Sequence, residues 1–199
     1  MRIHRFDTAS LAAAPWKNGG GTTREIAAWP QGAGIDGFDW RVSIATIDQA
    51  GPFSAFAGVD RVIMLLDGSG VRLRSGDGRI DHRLDRPHAP FAFSGDMALD
   101  CELLGGPSTD FNVMTRRGRL RAEVRVLAGD SQVGPAAAGL LLALRGRWQL
   151  QGGDTTTLES GAGLWWAEGP AGWHATPLDA EAALVAVRFE APTPSTSTP

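Results

Sequence analysis

Apolar and polar positions alternate with a period of two along most of the chain. Trp40, Val42 and Ile44 interleave with Arg41, Ser43 and Ala45, which predicts a strand with one apolar and one polar face. Arg61 to Leu66 is a short apolar run closed by the turn signal Asp67-Gly68-Ser69-Gly70. Val71 and Leu73 then alternate with Arg72 and Arg74, Ser75-Gly76-Asp77-Gly78 turns, and Ile80, His82 and Leu84 alternate again. Phe91 with Phe93, then Met97, Leu99, Cys101 and Leu103, then Phe111 to Met114 read as further strands. Short strands separated by Gly/Pro turns predict a β-sandwich or barrel. Helix is scarce: Ala9 to Ala14 suggests one turn, limited by Pro15.

The second part of the chain repeats this grammar. Leu140 to Leu144 is apolar, Arg145-Gly146 turns, Trp148 and Leu150 alternate, and Gly152-Gly153-Asp154 turns again. Leu164-Trp165-Trp166 occupies the slot of Phe91-Ala92-Phe93, and Ala183 to Phe189 closes the series. The order predicts two copies of one small β-module, over about residues 62–115 and 140–190. Residues 119–139 read as an intervening strand and loop. The expected division is an N-terminal module over 1–118, a C-terminal one over 119–190, and a Pro/Ser/Thr-rich disordered tail over 191–199.

Composition narrows the function. The 199 residues carry 19 Lys+Arg against 22 Asp+Glu, a net −3, so no general field draws nucleic acid or anionic lipid. No apolar run reaches membrane-spanning length and the start lacks the apolar core of a secretion signal, so the expected location is cytoplasmic. The single cysteine, Cys101, excludes an internal disulfide and a cysteine-clustered zinc site. It shares a face with Leu99 and Leu103 and reads as a core residue. The four histidines, His4, His82, His88 and His174, show no ligand spacing, so no metal and no other cofactor is expected. Gly32-Ala33-Gly34-Ile35-Asp36-Gly37 fits G-x-G-x-x-G but precedes a strand, so it is a loop. Neither a Walker A loop nor a G-x-S-x-G elbow is present.

The densest chemistry is Trp16-Lys17-Asn18-Gly19-Gly20-Gly21-Thr22-Thr23-Arg24-Glu25-Ile26. Its glycines permit positive φ and close backbone approach, and their N–H groups can form an anion-receiving concavity. Lys17, Thr22, Thr23 and Arg24 supply further donors, and Glu25 can orient an arginine. The plainer reading is a tight turn into an edge strand. Lys17 is the only lysine beside eighteen arginines, which singles it out. Arg41 and Ser43 form a second polar face; pointed into a barrel lumen, Arg41 is a buried cation that needs an anionic partner. Phe53, Phe56 and Arg61 follow a Gly-Pro turn, and Asn112 lies opposite Phe111.

These blocks, with Gly51-Pro52-Phe53-Ser54, Leu65-Leu66-Asp67-Gly68-Ser69-Gly70, Phe93-Ser94-Gly95-Asp96 and Asp110-Phe111-Asn112-Val113-Met114, closely resemble the HutD/Ves family. The resemblance is strong over about residues 3–116 and loose beyond. It implies an all-β fold with little helix: two cupin-like β-barrel or jelly-roll modules packed as a bicupin. HutD members accompany histidine-utilisation enzymes and look like ligand-binding governors of that pathway, with urocanate or formylglutamate-type acids as proposed ligands. Ves members are linked to stress and cold response.

The leading expectation is therefore a non-catalytic, metal-free protein that binds a small carboxylate metabolite. Arg24, Arg41 and Arg61 are expected on the carboxylates, because a guanidinium fork meets them bidentately. Asn18, Thr22, Ser43 and Asn112 would fix orientation; Trp16, Phe56 and Phe93 would line the apolar part; Lys17, Gly20 and Glu25 complete the candidate set. One alternative is a metal-independent enzyme acting on the same acids through Glu25, Asp96 or His88. Another is a stress-response scaffold binding a protein partner through a sheet edge. A homodimer is left open.

Overall fold

The computed structural model describes residues 2–192, so most of the expected tail lies outside the described residues. Nearly all of the chain is strand. The first strands are β1 (Arg2–Asp7), β2 (Ala13–Pro15), β3 (Gly21–Trp29), β4 (Trp40–Ile47), β5 (Gly51–Phe53) and β6 (Val59–Gly68). Then come β7 (Val71–Ser75), β8 (Asp81–Leu84), β9 (Phe91–Ser94), β10 (Leu99–Leu103), β11 (Ser108–Arg116) and β12 (Arg121–Leu127). The last are β13 (Ser131–Ala136), β14 (Ala138–Arg145), β15 (Trp148–Gly152), β16 (Asp154–Leu158), β17 (Ala162–Ala167), β18 (Ala171–Pro177) and β19 (Ala183–Glu190). The helical turn expected over Ala9–Ala14 shrinks to a 3-10 turn at Thr8–Ser10, capped by the Asp7 carboxylate on the Ala9 N–H. Ala13–Pro15 is a strand instead, because its backbone pairs with Thr22–Arg24.

The strands form four antiparallel sheets, ordered β2-β3-β4-β11-β6-β9, β5-β10-β7-β8, β1-β17-β14-β19-β12 and β13-β18-β15-β16. None closes on itself, so the expected barrel lumen is replaced by the gaps between open sheets. Strand alternation builds the layers. Trp40, Val42, Ile44, Phe111 and Val113 point from the six-stranded sheet against Leu140, Leu142, Val185, Val187 and Phe189 of the five-stranded sheet. Trp40 stacks on Phe189 at 4.5 Å between centroids and meets Trp165 edge-on at 5.8 Å. The opposite face of the six-stranded sheet packs Ile47, Ile63 and Leu65 against Leu73, Leu99 and Cys101. The five-stranded sheet packs its outer face on Trp148, Leu150 and Trp173. Both large sheets are thus covered on both faces.

Strands β2–β11 make two sheets and β12–β19 the other two, with one exchange. Strand β1 joins the five-stranded sheet, pairing Arg2–Asp7 with Ala162–Ala167 of β17. The segment 119–139 contains two strands, β12 and β13, in different sheets.

Candidate functional site

The gap between the six-stranded sheet and its four-stranded neighbour widens at one end into a cavity of about 440 Å³. Its floor is built by register. In β4, β11 and β6, Met114 lies between Arg41 and Arg61, Asn112 between Ser43 and Ile63, and Asp110 between Ala45 and Leu65. Period-two alternation aims these residues away from Trp40, Val42, Phe111 and Val113, and of them Arg41, Ala45, Arg61, Asp110 and Asn112 line the cavity. The rim comes from Pro15, Trp16, Lys17 and Asn18 of the β2–β3 turn, from Phe53, Ser54 and Phe56, and from Ile35.

Arg61 is the centre of the site. It is 4% exposed, and its guanidinium lies 4.5 Å from the Phe53 ring centroid and 5.2 Å from those of Phe56 and Phe93. It donates to Asn112 Oδ1 from Nε (3.4 Å) and Nη2 (3.3 Å), and to the Ser54 carbonyl from Nη1 (3.1 Å). All three contacts go to neutral acceptors, and no ion pair forms among the described residues. Burial lowers its pKa to about 10, with Asp110 opposing the shift and Arg41 adding to it. Arg41 is steadied differently: Nε donates to Glu25 Oε2 at 2.7 Å and Nη1 to Ser43 Oγ at 3.4 Å. Asp110 is 3% exposed. Its Oδ1 has no hydrogen-bond partner among the described residues, and burial raises its carboxyl pKa to about 7 against the pull of Arg61.

The Gly-rich block is the hairpin turn between β2 and β3, a tight turn as the plainer reading had it but into a strand paired on both sides at its start, and it also borders the cavity. Trp16 and Gly21 pair through the Trp16 N–H and the Gly21 carbonyl (2.9 Å), and Trp16 Nε1 donates to Thr23 Oγ1 at 2.7 Å. The expected cradle of glycine N–H groups does not face the cavity. The Gly19 N–H goes to the Trp16 carbonyl (3.0 Å) and that of Gly20 to Asn18 Oδ1 (3.1 Å). Gly20 instead lines a neighbouring space of about 190 Å³, shared with Trp16, Asn18, Phe53 and Cys101.

The structure brings Trp16, Lys17, Asn18, Arg41, Phe56, Arg61 and Asn112 to one cavity. Ser43 supports Arg41 from beneath, Phe93 lies under the Arg61 guanidinium, and exposed Glu25 holds Arg41 at the rim. Thr22 and Arg24 are placed elsewhere. They pair with Thr46 and Ile44, on the face directed toward the five-stranded sheet, because odd-numbered residues of β3 face the cavity up to the bulge at Glu25–Ala27. Of the alternative acid/base candidates, Glu25 sits at the rim, and Asp96 and His88 lie away from the cavity. Asp96 is held by Arg117 (2.5 Å) and the Gly58 N–H (2.6 Å), and His88 follows β8 beside the Leu65 carbonyl. Thr23, named among the donors of the Gly-rich block, lines the cavity as well, whereas sequence reasoning passed over Ser54 and Asp110. The signal for Asp110 was at hand: it stands two residues before Asn112 on the same strand face.

The fold and site define a cupin-like all-β protein with a cationic, aromatic-walled cavity between two sheets. The oxalate decarboxylase of Lactobacillus farciminis, at 8% identity, superposes with a TM-score of 0.67 over 95% of this chain and 86% of that one, a likeness of fold alone. Residues 8–186 match the family HutD, and the chain belongs to it. Protein Ves of Cronobacter sakazakii is 44% identical over 82% of this chain and 87% of its own. An uncharacterised 21.2 kDa protein from the hutC 3′ region of Pseudomonas putida is 45% identical over 64% and 66%. The structure of HutD from Pseudomonas fluorescens SBW25 is 31% identical, with a TM-score of 0.79 over 95% of this chain and all of that one.

Proposed function

We propose that this chain binds a small carboxylate metabolite in the Arg41–Arg61–Asn112 cavity and acts without catalysis, as a ligand-sensing governor of histidine utilisation in the cytoplasm. One observation carries the reading: Arg61 is buried, charged and held only by neutral acceptors at the wall of a cavity large enough for a small acid. A desolvated cation in that state gains most from an anionic partner. Kinship with HutD and with a protein of the hutC region supports the pathway, and urocanate or formylglutamate-type acids fit the cavity's chemistry. The pairing of β2–β11 and β12–β19 into separate sheets supports a duplicated, bicupin-like origin.

Isothermal titration with urocanate, formylglutamate and glutamate tests the assignment. A charge-assisted contact contributes about 1.5–3 kcal/mol, so Arg61→Met should weaken the bound acid about tenfold or more. Arg24→Met, on the opposite sheet face, should leave it within about twofold. Equal heats from wild type and Arg61→Met sink the proposal, as does the absence of binding by all three acids.

A further inference from the structure

The cavity contains a second buried charge that the carboxylate reading leaves unused. Asp110 and Arg61 are opposite in sign and both almost wholly buried, yet they form no ion pair among the described residues. Register explains why. Arg61 lies opposite Met114, whereas Asp110 lies opposite Leu65, four residues back along β11. Asn112 stands between them and accepts from the guanidinium through Oδ1. Asn112 therefore keeps the two charges apart, and the cavity has a cationic end and an anionic end. One wall of the space between them is aromatic, from Trp16, Phe53 and Phe56. The Arg61 guanidinium reaches back along the strand to Asn112, two residues from Asp110, and two residues along a strand span about 7 Å, which sets the distance between the two charged groups.

An orphaned acceptor is costly to bury, so a ligand that satisfies it is favoured over one that does not. Resting on the carboxylate reading above, we propose that Asp110 is a specificity residue: the site selects acids carrying an N–H donor about 7 Å from the carboxylate. The carboxylate lies against Arg61 and Arg41, and the N–H donates to Asp110 Oδ1. Simple dicarboxylates, which would set a second anion against Asp110, are disfavoured by like-charge repulsion.

The test compares urocanate with its furan isostere, 3-(2-furyl)acrylate, which keeps the acid and the planar ring but lacks the N–H. Titrations at pH 8 use wild type, Asp110→Leu and Asp110→Asn. Wild type should bind urocanate about tenfold or more tightly than the furan acid. Asp110→Leu should bind the two alike, with the furan acid bound at least as well as by wild type. If Asp110→Leu fails to fold, a reduced preference in Asp110→Asn decides in its place. Equal binding of both acids by wild type, with both lost in Arg61→Met, overturns the role of Asp110 and leaves the carboxylate reading standing. A preference that persists in both Asp110 variants overturns it too. Failure of wild type to bind either acid overturns both.

Discussion

Asp110 makes a stability prediction that needs no ligand. Its carboxyl is held at about 7 against an ordinary value of 3.8, mainly by burial. Between about pH 4 and 7 the folded chain keeps a proton that the unfolded chain has released. Stability attributable to this group is therefore greatest in acid, falls as pH rises through that window, and levels off above it. At about 1.4 kcal/mol per pH unit, the ionised carboxylate destabilises the fold by up to about 4 kcal/mol at pH 8. Asp110→Asn keeps the shape and removes the ionisation. Guanidinium unfolding from pH 4 to 8 should show the variant about 2–4 kcal/mol more stable at pH 8 and about equal at pH 4. The charged groups around Asp110 do not confuse the difference. Arg61 titrates only near 10 and the Cys101 thiol near 11, and Arg41, Lys17 and Glu25 are common to both proteins. No gain at pH 8 refutes the reasoning. A gain independent of pH refutes it as well, because it would report packing and not ionisation.

Two further outcomes test the rim and the core. A Cβ at Gly21 would run into the Thr46 carbonyl oxygen and crowd the Trp16 ring, so Gly21→Ala should lower stability by about 2 kcal/mol or more and weaken acid binding. The nearby Gly19 has open space, and Gly19→Asn, which tolerates its φ of +71°, should change the unfolding midpoint little. Cys101 is buried and its thiol is pushed up to about 11, chiefly by desolvation. It should resist iodoacetamide at pH 8 in the folded protein and react on unfolding; rapid labelling of the folded chain contradicts its placement.

Much of the fold was legible because alternation in β4 and β11 is clean. Trp40, Val42 and Ile44 against Arg41 and Ser43 fixed both the strand and its polar face. Open sheets rather than barrels were not legible, since closure depends on which strands meet at the edges and not on any one strand's pattern. Arg24 was misplaced for a local reason. Its block was read as a loop whose donors converge, but strand pairing begins at Gly21, and from there Arg24 shares a face with Ile26, a core residue. The apolar Ile26 two positions on was the available clue. The exchange of β1 into the five-stranded sheet left no mark in the sequence, because Arg2–Asp7 is a generic edge strand whose partner lies some 160 residues away.

The four-layer arrangement explains why polar residues in the middle of the six-stranded sheet are informative at all. A sheet exposed on one face carries polar residues there by default. This sheet is covered on both faces, so Arg61, Asn112 and Asp110, each under 8% exposed, are largely desolvated. Such a cluster lowers stability, as the raised Asp110 pKa records, and apolar residues would fill the same gap more favourably. The opposite outer gap, between the five-stranded sheet and its four-stranded partner, shows that alternative: Trp148, Trp166 and Trp173 pack there with Leu141, Leu150 and Leu164. One gap is filled with indole and leucine, and the other holds two arginines, an amide and an unpaired carboxylate around about 440 Å³ of space. The same layered scaffold supports both, so the polar cluster is not required by the fold, and the proposed carboxylate site is the role that accounts for it.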